Sequence, residues 1–155
     1  MTREPPARTS TSQVGNLPFS AHGKVDIWQE GDLHLYEATG PFNKELVDGL
    51  AIAQADFLRK VCPTGPWASI CIVRSNALAT PDGLERYGEL IRQAPPQFTA
   101  LATAYVIDDT VEGGQFMAPL FTRVFAQAGR PFQVFATLDE ARRWAQSLVD
   151  QARDA

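Results

Sequence analysis

The chain has no apolar run approaching the roughly 18 residues that a membrane-spanning helix requires, so no transmembrane segment is expected. Residues 1–12 are polar and carry no apolar signal core, which argues against secretion and for a cytoplasmic location. There is no excess of basic charge: 14 Lys and Arg stand against 18 Asp and Glu, with acids and bases interspersed. A general nucleic-acid binder normally shows a basic patch, so nucleic acid is excluded as a partner. Cysteine and histidine are scarce, at two residues each. Cys62 and Cys71 are too far apart for a Cys-x-x-Cys redox motif, and with His22 and His34 they show no metal-ligand spacing. No metal is therefore expected. The default reading of the two thiols is reduced and packed as small hydrophobes, since a disulfide does not suit the cytosol.

Motifs for cofactors and nucleophiles are missing as well. Gly113-Gly114 precedes a helical stretch, but no Gly-x-Gly-x-x-Gly and no Walker-type lysine accompanies it, so it reads as a loop or a helix start. No Gly-x-Ser-x-Gly elbow occurs. His34 lies mid-strand between Leu33 and Leu35 and reads as a structural or surface residue. His22 adjoins the N-terminal segment. No catalytic residue and no cofactor is assigned.

What is present is an ordinary globular composition, 45% hydrophobic and 21% charged over 155 residues, enough for one domain that buries roughly two-thirds of its unfolded surface. Residues 1–22 are rich in Pro, Ser, Thr and Arg without periodicity. They are expected to form a flexible tail in which Leu17 and Phe19 touch the body, leaving residues 23–155 as a single domain. Alternation of Val25 and Ile27 with polar neighbours, the Glu30-Gly31-Asp32 turn and renewed alternation over 33–39 predict an antiparallel hairpin. Asn43 is a helix N-cap, and Leu46, Leu50, Ala53, Phe57 and Val61 form one stripe. Residues 67–73 (WASICIV) read as a strand covered on both faces. Thr80-Pro81 opens a second helix with Leu84, Tyr87, Leu90 and Ile91 inward. Residues 98–107 are a second buried strand. A third helix follows, which Pro119 kinks or starts, and which Gly129 ends. Residues 131–135 form a strand that Pro131 places at an edge or a strand start. Thr137-x-x-Glu140 is a capping box ahead of Leu138, Ala141, Trp144, Ala145, Leu148 and Val149. The expected architecture is α/β, a mixed sheet of about five strands in the order β-β-α-β-α-β-α-β-α.

Topology then nominates a surface. In open α/β sheets, ligands bind beyond the carboxyl ends of parallel strands. If the strands at 67–73 and 98–107 are parallel neighbours, Arg74, Ser75, Asn76 and Thr80 approach Asp108 and Asp109. The loop feeds a helix N-terminus, which favours an anion or a phosphorylated side chain. The bland alternative is a polar loop with a good cap. Adjacent Asp108 and Asp109 point apart on an extended chain, so they read as a solvated turn in which Asp109 or Thr110 caps the next helix. Phe116, Met117, Phe121 and Phe125 form a core stripe by default, or an apolar groove if part of it faces outward.

The hairpin, the Gly40-Pro41-x-Asn43 helix entrance, the central apolar strand with its loop and helix, and the C-terminal PFQVFATLDEARRWAQSL together resemble STAS-like domains. Phe132, Val134, Phe135, Thr137, Glu140, Ala141 and Trp144 carry the best match, and the resemblance spans roughly residues 24–150. It points to the anti-sigma-factor-antagonist-like group related to lipid-binding lobes of the CRAL-TRIO type. It implies a mixed sheet with helices packed on it, no catalysis, and contact with a protein partner regulated by phosphorylation. The regulated Ser of that family sits in an Asp-Ser-Ser/Thr-Gly turn. Here the region runs from Arg74 through Ser75 and Thr80 to Gly83; the Asp-Ser turn is missing and the loop is longer. The first expectation is thus a regulatory, protein-binding module, with a homodimer also compatible. The alternatives are a protein that binds a lipid or a small apolar ligand under the Phe116–Phe125 helix, and an enzyme using Arg74, Asp108 and Asp109.

Overall fold

The computed structural model describes residues 7–13 and 23–155. His22, Leu17 and Phe19 lie outside the described residues. Six strands form one sheet, β1 (Arg8–Ser10), β2 (Lys24–Glu30), β3 (Leu33–Thr39), β4 (Ala68–Arg74), β5 (Thr103–Val106) and β6 (Phe132–Phe135), in the spatial order β1-β2-β3-β4-β5-β6. The first two pairings are antiparallel and the last three parallel, so the sheet is mixed. Among the described residues four α-helices accompany it: α1 (Lys44–Val61), α2 (Pro81–Gln93), α3 (Gly114–Gln127) and α4 (Leu138–Arg153). None of the described helices is long and apolar enough to cross a membrane.

One strand more is present than the sequence suggested. Part of the expected tail is an edge strand, with Arg8, Thr9 and Ser10 paired to Trp28, Ile27 and Asp26. A polar segment joins a sheet here because its backbone and hydroxyls are satisfied: the Thr11 hydroxyl accepts from the Val25 N–H at 2.9 Å. The Arg8 guanidinium lies over the Trp28 ring, 5.5 Å from its centroid.

The two faces of the sheet are covered unequally. On one side, among the described residues, α4 alone lays Ala141, Ala145 and Val149 on Leu33, Leu35, Ile70, Ile72, Ala104 and Val106. Small residues on the helix stripe let it approach the sheet closely. Its ends are tied to the hairpin turn by Arg142 to Glu30 and Arg153 to Asp32. Its start is the expected cap, the Thr137 hydroxyl accepting from the Glu140 N–H at 3.3 Å. On the other side α1 packs Leu46, Ala53, Phe57 and Leu58 against Val25, Ile27, Tyr36 and Ala38. There α3 packs Met117, Phe121, Val124 and Phe125 against Val73 and Tyr105. Helix α2 leans on α1 and α3 rather than on a strand.

Several boundaries differ from the sequence reading. Pro119 stands inside α3 without starting it. It lies past the first turn, so its missing N–H leaves the Gln115 carbonyl without its ladder bond, and the helix continues through it. The helix is capped by Gly113, not by Asp109 or Thr110. The expected strand at 98–107 shortens to β5 because a 3-10 turn takes up Pro96–Phe98. Ahead of β5 the chain bends at Leu101, whose N–H still bonds the Trp67 carbonyl at 2.9 Å. Cys62 caps α1 in a left-handed conformation while Cys71 lies mid-β4, and both are free thiols.

Candidate functional site

Strands β4 and β5 are parallel neighbours, in register from Ser69 with Thr103 to Ile72 with Val106. Their carboxyl ends therefore deliver two loops to the same edge, and backbone bonds zip those loops together. The Glu112 N–H donates to the Ser75 carbonyl and the Ala77 N–H to the Glu112 carbonyl, both at 2.9 Å. Segment 42–43 joins from β3: the Phe42 N–H donates to the Leu78 carbonyl and the Thr80 N–H to the Phe42 carbonyl. Glycine is required where β3 ends, since a Cβ on Gly40 would stand 2.1 Å from the Asn76 carbonyl oxygen.

Within this frame Arg74 is exposed, its Nε 3.5 Å from Glu37. Asp108 lies near enough for the Arg74 charge to act on it. Its carboxylate accepts from the Thr110 hydroxyl and N–H, and these bonds, with a smaller contribution from Arg74, hold it below the usual carboxylate range. Ser75 is exposed, with a left-handed backbone at φ 65°. The Asn76 side chain turns back to accept from the Leu78 N–H at 2.8 Å. Thr80 caps α2, accepting from the Gly83 N–H at 3.1 Å and donating to Asp82 at 2.6 Å. The helix N-terminus that an anion would occupy is thus already served by Asp82, whose own carboxyl is held low chiefly by Thr80. Asp109 is exposed and borders an open depression of about 320 Å³ with Asp108, Gly114 and Gln115. No histidine, serine or cysteine lines that depression. The loops bring Arg74 and Asp108 together, while Thr80 is engaged with its own helix.

Apolar surface adjoins these charges. Leu78 is 37% exposed and packs over Gly113, where an added Cβ would meet its side chain at 2.6 Å. Phe116, in the first turn that Gly113 caps, is 69% exposed. The other three members of the aromatic stripe, Met117, Phe121 and Phe125, are buried. The four therefore do not form one groove: helical spacing turns Phe116 to solvent and its companions inward.

The inward residues border something the sequence did not show. Beneath α2, between it and the sheet, lies a cavity of about 130 Å³ whose walls include Leu84, Tyr87, Cys71, Tyr105, Phe121 and Phe125. Its polar groups are mostly hydroxyls. Tyr87 and Tyr105 meet across it, oxygen to oxygen at 2.5 Å, and the Tyr36 hydroxyl accepts from Gln54 at 2.7 Å. Burial raises all three tyrosines and pushes the Cys71 thiol up to about 12, so every one is protonated at neutral pH. Spacing on α2 marked Leu84, Tyr87 and Ile91 as inward-facing. It could not show that the helix stands off the sheet.

Among the described residues, no group of three or more His, Cys, Asp or Glu side chains is arranged to hold a metal ion. His34 belongs to the core, stacked on Trp67 and edge-on to Phe57.

This arrangement, a mixed sheet with an antiparallel hairpin inside a short edge strand and, among the described residues, α4 alone on one face and the remaining helices on the other, is a STAS-like fold. The anti-sigma factor antagonist from Mycobacterium paratuberculosis, a solved structure, is similar over 79% of this chain and 92% of its own, with a TM-score of 0.50 and 12% identity. At that identity the likeness is one of fold. No family model matches the sequence, and no curated protein does.

Proposed function

We propose that the chain is a non-enzymatic regulatory module that binds a protein partner through the loops at the carboxyl ends of β4 and β5. The observation that carries this reading is that exposed Leu78, in the same loop as Arg74 and Ser75, packs over Gly113, the cap of the helix whose first turn carries exposed Phe116. An apolar anchor rimmed by charges on a backbone-zipped frame is the usual composition of a protein-binding patch. The solved relative of the same fold is named for acting on another protein, an anti-sigma factor. The chemistry of the site supports the non-enzymatic part: Asp108 is tied up by Thr110, and beside Asp109 the depression is lined by Asp108, Gln115 and apolar or glycine residues, with no serine, cysteine or histidine. Regulation by phosphate would fall on Ser75, whose hydroxyl is exposed, rather than on Thr80, whose hydroxyl is in use. The test is affinity for a partner identified by cross-linking from position 116, measured with both proteins purified. Arg74→Glu, Ser75→Glu and Phe116→Ala should each weaken binding about tenfold or more, while Arg143→Glu on α4 should not. Unchanged affinity in all three variants would overturn the proposal.

A second reading, carriage of a small apolar ligand, is favoured by the cavity under α2. Its volume is well short of the roughly 300 Å³ at which drug-sized pockets begin, and so short of a long acyl chain.

A further inference from the structure

The cavity under α2 can be read further, on the basis of the ligand-carrying reading. Its size is close to that of an engineered apolar cavity of about 150 Å³ that stays dry and takes up benzene. One six-membered ring with a short substituent is therefore the scale of occupant. Its walls are mostly apolar, from Leu84, Ile91, Phe121, Phe125 and Val73, and among its polar groups the Tyr87–Tyr105 pair differs from Tyr36, which Gln54 already serves.

That pair has donors to spare. When two hydroxyls meet, one proton fills the contact and the hydroxyl that receives it keeps its own. Tyr87 and Tyr105 are such a pair, and each has only the other as a hydrogen-bond partner among the described residues. One O–H is thus left without an acceptor among the described residues, on a pair that lines the cavity, and a buried donor without an acceptor is costly. At the hydroxyl pair itself a charged ligand does not suit, because an ion moved from water to neutral hydroxyls loses more than they return. The one cation on the lining, Arg130, stands half-exposed in the loop before β6, away from the sequence positions of the pair, and benzoate tests whether it draws an anion in.

We propose that this cavity is a binding site for an uncharged, single-ring compound carrying a hydrogen-bond acceptor such as a ketone oxygen, which the Tyr87–Tyr105 hydroxyl pair receives. Acetophenone, ethylbenzene and benzoate are the probes: similar in size, with a neutral acceptor, no acceptor and a charged acceptor. Binding is followed by amide chemical shifts of the cavity-lining residues in the full chain. Acetophenone should give saturable shifts centred on residues 84–91 and 103–105, with ethylbenzene about three- to tenfold weaker and benzoate weaker still. The Tyr87→Phe/Tyr105→Phe double variant, which removes both hydroxyls, should lose that three- to tenfold advantage and keep its ethylbenzene affinity. Cys71→Met, which fills the space with a flexible side chain, should bind neither; if it fails to fold, the double tyrosine variant still decides. Equal affinity for acetophenone and ethylbenzene would overturn the acceptor assignment and leave an apolar site. Tighter binding of benzoate would overturn the uncharged class. No saturable shift with any probe would overturn the cavity as a ligand site altogether.

Discussion

The imidazole of His34 lies nearly parallel over the indole of Trp67, with ring centroids 4.2 Å apart and planes 22° apart. His34 is 1% exposed, and its Nδ1 has no hydrogen-bond partner among the described residues. A residue with a titratable ring thus serves as an aromatic filler between β3, Trp67 and Phe57, and it does so in the neutral form.

A pH dependence follows. Burial pulls the His34 pKa from 6.5 down to about 4, with Asp32 opposing weakly. The unfolded chain therefore takes up a proton near pH 6.5 and the folded chain only near pH 4. Between those values the unfolded state binds more protons, so stability falls as pH falls. At about 1.4 kcal/mol per pH unit, the loss across that window is on the order of 3 kcal/mol. Urea midpoints measured from pH 7 to pH 4.5 for the wild type and His34→Phe isolate this contribution from the carboxylates. The difference between the two proteins should change across the window; a constant difference would remove His34 as its source.

The helix caps should act alike on opposite faces of the sheet. The Asn43 side chain accepts from the Leu46 N–H at 3.0 Å, and the Thr137 hydroxyl from Glu140. Asn43→Ala and Thr137→Ala should each cost about 1 kcal/mol in urea unfolding, while Thr137→Asp, which keeps an acceptor, should stay within about 0.5 kcal/mol of wild type.

Two phenylalanines of α3 should respond in opposite ways. Phe125 stacks on Phe132 with centroids 4.5 Å apart and is buried, so Phe125→Ala should cost about 3–5 kcal/mol and enlarge the adjoining cavity. Phe116 is solvent-facing, and Phe116→Ala should change the unfolding midpoint by less than about 0.5 kcal/mol. A large loss at Phe116 would mean that its side chain is covered, and with it the proposed patch.

The loop frame gives a pair of backbone predictions with opposite sign. Gly40→Ala drives a Cβ into the Asn76 carbonyl and should destabilise by about 1–3 kcal/mol. Ser75→Gly relieves a left-handed backbone and should leave stability unchanged or raise it by up to about 1 kcal/mol. Thermal midpoints of the two single variants decide both.

Much of the fold could be read from local chemistry. Asn43, Thr80-Pro81 and Thr137 each start a helix because their side chains serve orphan N–H groups within three residues, and that pattern is visible in the sequence. The hairpin is legible for the same reason, since Gly31 turns between two alternating runs. What was hidden depended on distant partners. Arg8–Ser10 is polar and joins the sheet only because Thr11 and β2 satisfy it. His34 became core because Phe57 and Trp67 close over it from elsewhere in the chain. At the candidate surface, the nearness of Arg74 to Asp108 followed from parallel pairing of two strands. The engagement of Thr80 by Asp82, and the outward turn of Phe116, did not. The cavity was invisible, because a gap is a property of how far α2 stands from the sheet and no residue encodes it alone.

Strand order follows chain order throughout the sheet. Each strand therefore finds its partner in the one synthesised just before it, and the sheet can be laid down progressively as the chain leaves the ribosome. The exception is its cover on one side. Leu33, Leu35, Ile70 and Ile72 wait for Ala141, Ala145 and Val149, which arrive with the last helix. A nascent chain stalled before residue 138 would present a nearly finished sheet with one bare apolar face, and that is the stage at which a chaperone has most to hold.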